Sequence, residues 1–106
     1  MEVEKAYIGR ANVIRRVLLA DGEELSEFQQ QGITRVQVRL RNICLDTNNV
    51  SDPITYNDGV IELQIGLIPD IQPGNYTARV TVYDNPNPEG KAWDQFPVEV
   101  MYWEVC

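Results

Sequence analysis

The sequence contains no histidine, and cysteine occurs only at positions 44 and 106. Without histidine the chain cannot form a Ser-His-Asp triad, a Cys-His dyad or a zinc site with imidazole ligands. Two thiols cannot complete a four-thiolate metal site, and no glycine-rich phosphate-binding loop is present. Paired carboxylates are the remaining catalytic option, but Asp84, Glu89 and Asp94 are typical of solvated turns. We therefore predict a protein that is not an enzyme and has no metal site and no cofactor.

Positive charge and long apolar runs are scarce as well. The formal net charge is −7, whereas proteins that bind nucleic acids usually carry an excess of Lys and Arg to contact phosphates. No apolar run reaches the roughly 20 residues that a membrane-spanning helix needs. The first residues also lack the basic and apolar regions of a signal peptide. We therefore expect no nucleic-acid partner, no membrane partner, and a location in a cytoplasm or in a particle assembled there.

The arginines are concentrated before residue 42. This set comprises Arg10, Arg15, Arg16, Arg35, Arg39 and Arg41. A solvated strand face is the ordinary explanation for such charges. A bound anion or an acidic partner surface is the alternative.

The two cysteines do not predict a disulfide. A chain without a secretion signal meets a reducing environment, in which disulfides are rare. Cys44 is interpreted as a small buried apolar side chain, and Cys106 as a free terminal thiol.

Strict alternation of apolar and polar residues is the main structural signal. Because side chains of a strand point alternately to opposite faces, each such segment indicates a half-buried β-strand. The clearest segment is 73–82, which starts with a Pro-Gly turn. The inward sets are Val36, Val38 and Leu40; Ile61, Leu63, Ile65 and Leu67; Tyr76, Ala78, Val80 and Val82; and Phe96, Val98, Val100 and Tyr102.

Turn signals separate these segments at regular intervals. Asp21-Gly22 and Asn57-Asp58-Gly59 favour tight hairpins, and residues 84–90 predict a long turn with two prolines. Residues 23–31 are the best helix candidate, although a polar loop fits equally well. About seven short strands with such turns are typical of an all-β, two-sheet antiparallel β-sandwich. We predict a single domain of this kind over residues 1–106.

The segment from Leu67 to Asp84 resembles the E–F turn and F strand of an immunoglobulin-like or fibronectin-like sandwich. The resemblance implies that Tyr76 is the structural residue of a tyrosine corner, in which the hydroxyl bonds to upstream backbone. Trp93 and the alternating run 96–102 resemble the following G strand. The Cys…Trp…Cys arrangement of antibody domains is absent, because Ala78 stands where the second cysteine would be.

Three features are also similar to small immunoglobulin-like virion proteins of tailed bacteriophages. They are the strand at 73–84, the Asn-Pro-Asn-Pro-Glu-Gly turn at 85–90, and the Ala-Trp…Phe-Pro-Val-Glu-Val ending at 92–100. The resemblance implies a tail, baseplate or head-decoration component that acts through protein–protein assembly. Its location would be the virion or the host cytoplasm, and its partners would be proteins or further copies of itself.

The last strand becomes apolar on both faces near its end. Met101, Trp103 and Val105 follow the polar residues of the outward set. Burying an apolar side chain of this size contributes roughly 1.5–3 kcal/mol. These three residues therefore either lie under residues 3–14 or form an interface, in which Trp103 would be the anchor.

A binding module for carbohydrate or another small ligand is the alternative function. Tyr56, Tyr83 and Trp93 are the candidate residues of an aromatic platform. Such a platform requires the three rings on one face and exposed to solvent.

Overall fold

The computed structural model describes residues 3–103, and this part of the chain is built mainly of β-strands. The all-β class is therefore confirmed. In chain order the elements are β1 (Glu4–Tyr7), β2 (Ile14–Val17), β3 (Leu19–Ala20), β4 (Glu23–Glu24), α1 (Glu27–Gly32), β5 (Ile33–Leu40), β6 (Ile43–Asp46), β7 (Ile54–Asn57), β8 (Val60–Leu63), a 3-10 turn (Ile65–Leu67), β9 (Gly74–Asp84) and β10 (Asn87–Met101).

The largest sheet has five strands in the order β1-β10-β9-β5-β6. Four of them pair antiparallel, but β1 runs parallel to β10, so the sheet is mixed. The prediction of purely antiparallel pairing is wrong at this point. A hairpin forces antiparallel pairing only on consecutive strands, and β1 and β10 lie at opposite ends of the described chain.

A second sheet of three antiparallel strands has the order β2-β8-β7, and β3 pairs with β4 in a separate hairpin. Both predicted tight turns are confirmed. Asp21 and Gly22 between β3 and β4 have positive φ, as do Asp58 and Gly59 between β7 and β8. This conformation matches the right-handed twist of the flanking strands.

One core is formed by the apolar faces of both sheets. Nearly all the predicted inward residues are buried, and Phe96, Leu40, Ile61 and Leu63 are the largest that are fully enclosed. Residues from β2, β7 and β8 belong to the same cluster as those from the five-stranded sheet. The fully enclosed side chains each contribute roughly 1.5–3 kcal/mol relative to exposure.

Two predicted core residues lie outside this core. Leu67 is 43% exposed because the chain leaves the strand for a 3-10 turn after Leu63, which breaks the two-residue period. Tyr102 is 67% exposed because β10 ends at Met101. Alternation therefore predicted both positions wrongly where the strand itself had stopped.

The number of strands and the connections also differ from expectation. Residues 3–103 contain ten strands where about seven were predicted, because the first twenty residues are divided among β1, β2 and β3 and the short strands β4 and β6 are added. A helix does form in the polar segment predicted at 23–31, but only over Glu27–Gly32, because Glu23–Glu24 pairs as β4. The helix begins at a capping box between Ser26 and Gln29. The long turn predicted at 84–90 is short, since β9 ends at Asp84 and β10 begins at Asn87.

Cys44 is exposed, and the interpretation of a buried side chain is wrong. Its cross-strand partner on β5 is Arg39, whose side chain points away from the core. Directly opposite residues share a face of the sheet, so Cys44 points outward and its neighbour Leu45 is buried. Cys106 lies outside the described residues.

Gly66 fixes the end of β1 against the 3-10 turn. A Cβ atom at Gly66 would overlap the carbonyl oxygen of Tyr7 and would lie 2.8 Å from that of Arg10. The amide of Gly9 donates to the carbonyl of Gly66 over 2.8 Å. Only glycine permits this approach, which positions Tyr7 beside the end of β10.

Candidate functional site

The outer face of the five-stranded sheet, the side that points away from the core, carries the groups with the most chemistry. Three sets of residues are distinguished on or beside it. The C-terminal corner comprises Tyr7, Met101, Tyr102 and Trp103. The paired cluster comprises Arg35, Gln37, Asp46 and Tyr83. The arginine cluster comprises Arg39, Arg41 and Arg79.

The C-terminal corner is built where β1 pairs with the end of β10. Tyr7 is the register partner of Met101, and its ring meets that of Trp103 edge to face, with centroids 5.0 Å apart and an interplanar angle of 76°. Trp103 nevertheless remains 56% exposed, and Met101 is half-buried. The N-terminal segment therefore covers part of the predicted apolar surface and leaves the outer side of Trp103 in solvent. Val105, the third candidate, lies outside the described residues.

The paired cluster is a closed network of charges and hydrogen bonds. Arg35 Nε lies 3.0 Å from both carboxylate oxygens of Asp46, and a terminal nitrogen of Arg35 donates to Oδ2 as well. The side-chain amide of Gln37 donates to the same carboxylate over 2.9 Å, as does the backbone amide of Asn48. The hydrogen bonds from Arg35 hold the pKa of Asp46 well below its usual range, and the bond to Asp46 raises the pKa of Arg35.

A tyrosine completes the paired cluster. The guanidinium carbon of Arg35 lies 4.8 Å from the centre of the Tyr83 ring. The Tyr83 hydroxyl donates to the side-chain oxygen of Gln37 over 2.7 Å. Each of the four side chains is therefore hydrogen-bonded to another side chain of the cluster.

The arginine cluster lies farther along the same strands. Arg39 on β5 and Arg79 on β9 are direct register partners. Arg41 follows β5 with a φ of 55°. Together the three line an open depression of about 270 Å³, whose wall is completed by Asn75, Tyr76 and Thr77. In residues 3–103, none of the three forms an ion pair within 4.0 Å.

Backbone groups and a tyrosine hold two members of the arginine cluster. Arg41 donates to the carbonyl of Asn75 over 2.8 Å, and its guanidinium carbon lies 4.2 Å from the centre of the Tyr76 ring. Arg39 Nε donates to the carbonyl of Arg41 over 2.9 Å. The guanidinium groups are therefore oriented without any carboxylate.

Tyr76 also ties the start of β9 to the preceding loop. Its hydroxyl donates to the carbonyl of Gln72 over 2.7 Å, a contact of the kind that a tyrosine corner makes. The rest of the side chain is buried. The Tyr76 ring thus packs against the guanidinium of Arg41, and the Tyr76 hydroxyl is hydrogen-bonded to the backbone.

The three residues predicted as an aromatic platform have separate environments, and each is partly buried. Tyr56 belongs to the second sheet, and its hydroxyl donates to the carbonyl of Gln30 over 2.7 Å. Tyr83 belongs to the paired cluster. Trp93 packs against the core from β10. These three rings therefore do not form one exposed surface for stacking.

Trp93 instead lines a groove of about 340 Å³ between α1 and the β9–β10 connection. The apolar residues of this groove are Leu25, Phe28, Ile33, Pro86 and Trp93. Phe28 is 88% exposed, whereas the indole Nε1 of Trp93 is buried and has no hydrogen-bond acceptor among the described residues.

Arg79 and Tyr7 are two of the site residues that sequence reasoning missed. Alternation places Arg79 on the outward side of its strand, opposite to Val80. That pattern contains no information about the register of β5 and β9, which sets Arg79 against Arg39. Tyr7 lies in the segment expected to cover the last strand, but its contact with Trp103 depends on the parallel pairing of β1.

Comparisons with protein-family models, curated proteins and solved structures give no match to this chain. Over residues 3–103, helices are too short and polar to cross a bilayer. The same residues contain no group of three or more His, Cys, Asp or Glu side chains placed to hold a metal ion.

Proposed function

We propose that this protein is a non-enzymatic structural component of a tailed-bacteriophage virion and acts through protein–protein assembly. In this proposal the five-stranded and three-stranded sheets form an immunoglobulin-like sandwich. The common core and the bond from Tyr76 to Gln72 support that arrangement. The resemblance of residues 73–100 to small virion proteins supports the assignment to a tailed-bacteriophage particle.

The exposed C-terminal corner is the observation that carries the proposal. Trp103 and Tyr102 are both more than half exposed, next to Met101 and Tyr7. Aromatic residues dominate the energetic centres of protein interfaces. Enclosing a large apolar side chain contributes roughly 1.5–3 kcal/mol, so a partner that covers this corner gains binding free energy.

The adjacent sheet edge adds a second means of contact. β1 is the outermost strand beside β10, so one row of its backbone groups faces away from the sheet. In that row the carbonyl of Tyr7 already accepts from the amide of Arg10. Unpaired edge groups can bond to a strand of another chain. A protein partner would therefore contact apolar side chains at the corner and backbone groups along β1, and its binding would depend on complementary shape.

The test is the solution mass of the wild type and of Trp103→Asp, measured by light scattering across protein concentrations. We expect the wild type to be a multimer and Trp103→Asp to be a folded monomer. Val50→Asp is the matched control, because Val50 is an exposed apolar residue in a distant loop. It should leave the mass unchanged.

The same experiment can contradict the proposal. A wild type that stays monomeric, or a multimer whose mass is unchanged in Trp103→Asp, would count against self-assembly through the corner. Because Trp103 lies outside the core, its substitution should preserve the far-ultraviolet circular dichroism spectrum.

The groove at Trp93 supports a second candidate function, the binding of a small ligand such as a carbohydrate. Ligand sites are commonly concave, mostly apolar and supplied with a few polar groups. The indole N–H without an acceptor is such a group. The residues involved would be Trp93 and Phe28, with no part for Tyr56 or Tyr83.

Tryptophan fluorescence distinguishes this second function. In Trp103→Phe the fluorescence reports on Trp93, and in Trp93→Phe it reports on Trp103. Titration with a panel of sugars should shift the emission only in the variant that retains Trp93. An unchanged emission with every sugar would count against a carbohydrate site in the groove.

A further inference from the structure

The arginine cluster places positive charge together without compensation. In an antiparallel pair, like charges directly opposite each other are destabilising. Arg39 and Arg79 occupy such positions, and Arg41 lines the same depression. The chain as a whole is acidic, with a net charge of −7, so the cluster is not explained by a general excess of basic residues.

Two members of the cluster, Arg39 and Arg41, are also oriented before any ligand binds. A guanidinium has five N–H donors in a fixed planar arrangement. The structure records one backbone acceptor for Arg39 and one for Arg41, which leaves most of their donors free. The Tyr76 ring restricts Arg41 further. Little side-chain freedom is then lost on binding, which favours affinity.

We propose that the arginine cluster binds a tetrahedral oxyanion, namely a phosphate or sulfate group. Arginine matches such groups because two parallel N–H donors fit two oxygens. A single carboxylate requires fewer donors: Asp46 is bound by one arginine together with amides. Three guanidinium groups around one depression suit a group with more oxygens and, for phosphate, about two negative charges near neutral pH.

The site is independent of the proposed assembly function. Its residues lie on β5, on the turn after β5 and on β9, whereas the C-terminal corner is formed by β1 and the end of β10. The depression is open to solvent, so the oxyanion can be free or attached to a small molecule. Failure of either proposal therefore leaves the other standing.

The test is titration of the purified protein with inorganic phosphate, phenyl phosphate and phenyl sulfate, followed by calorimetry at constant ionic strength. The variants are Arg39→Gln and Arg79→Gln. Arg15→Gln is the matched control, since Arg15 is an exposed arginine of the second sheet. Comparing the three probes distinguishes a free anion from an ester, and phosphate from sulfate.

We expect saturable binding of at least one probe to the wild type and to Arg15→Gln. The dissociation constant should rise at least tenfold in Arg39→Gln and in Arg79→Gln. The probe should also raise the unfolding temperature more in the wild type and in Arg15→Gln than in Arg39→Gln and Arg79→Gln, because a ligand that binds only the folded state raises that temperature.

Two results would overturn the proposal. One is the absence of saturable binding with all three probes. The other is an equal response of the wild type and all variants that grows steadily with concentration, since phosphate and sulfate stabilise proteins generally through exclusion from their surfaces. The substituted side chains are exposed, so loss of binding in a folded variant can be assigned to the missing guanidinium.

Discussion

The five-stranded sheet contains two arginine–tyrosine contacts that differ in one respect. In the paired cluster Arg35 lies over Tyr83, and in the arginine cluster Arg41 lies over Tyr76. Only Arg35 also has a carboxylate, from Asp46. Strand β5 thus carries a neutralised arginine, Arg35, near one end and an uncompensated arginine, Arg39, near the other.

This difference indicates a structural role for the paired cluster and a binding role for the arginine cluster. Asp46 and Arg35 satisfy each other, so their charges connect β5 to β6 and offer little to a ligand. Arg39 and Arg79 repel each other and retain free donors. An oxyanion supplied by another molecule can remove that repulsion. Changes made in one cluster at a time therefore test whether the two clusters have different roles.

Asp46→Asn should have the largest effect, because it removes the carboxylate from the paired cluster. Hydrogen bonds to charged groups contribute about 1.5–3 kcal/mol each, and several act together here, so we expect a loss of about 2 kcal/mol or more in unfolding free energy. Urea denaturation measures the change. Asp58→Asn is the control, since it removes the same charge from an exposed turn. Equal losses in the two variants would contradict a special role for Asp46.

Acid should remove the same contribution. The pKa of Asp46 is lowered in the folded state, so its contribution is fully present above the unfolded value of about 3.9 and is lost as pH falls toward the lower folded value. The stability difference between the wild type and Asp46→Asn should be constant from neutral pH down to about pH 5 and shrink below about pH 4. Urea denaturation at several pH values measures it, and a difference that grows in acid would contradict the assignment.

Arg79→Gln should raise stability when no oxyanion is present. Removing one of two opposed like charges relieves repulsion worth about 0.5 kcal/mol. The gain should be largest at low salt and fade as salt screens the charges. Thermal unfolding in dilute chloride measures it against Arg15→Gln. A variant less stable than the wild type in dilute chloride would show that Arg79 already has a compensating partner.

Cys44→Asp should have the smallest effect, a gain of a few tenths of a kcal/mol. The new carboxylate would lie directly opposite Arg39 and would make this end of β5 resemble the end at Arg35. It should also weaken phosphate binding, because the anion then competes with an internal partner. Cys44→Asn is the neutral control, and an equal weakening in both variants would contradict a charge effect.

Local patterns predicted the strands and their inward faces well. Val36, Val38 and Leu40 alternate with polar residues, and Asp58-Gly59 supplies the positive φ that a tight hairpin needs. Such signals arise within a few residues, so sequence alone contains them. Trp103 was singled out as an apolar residue that continues the outward set of the last strand, although β10 itself ends at Met101.

Contacts between distant segments could not be predicted in this way. The position of Arg79 opposite Arg39 and the exposure of Cys44 both follow from strand register. A shift of one residue in register would reverse the face of every side chain. The contact of Tyr7 with Trp103 further requires the parallel pairing of β1 with β10, which no turn sequence determines.

The pairing of β1 with β10 also bears on the order in which the protein folds. Residues 98–101 must be synthesised before residues 4–7 can pair with them. The segment of β1 therefore remains unpaired with β10 while almost the whole described chain is made. Non-local pairings of this kind are associated with slow folding, on the order of milliseconds to seconds. Until β1 pairs with the completed β10, the edge of β10 is uncovered and can pair with another chain. The edge that Tyr7 and its neighbours occupy in the finished molecule is therefore one place where misassembly between nascent chains can begin.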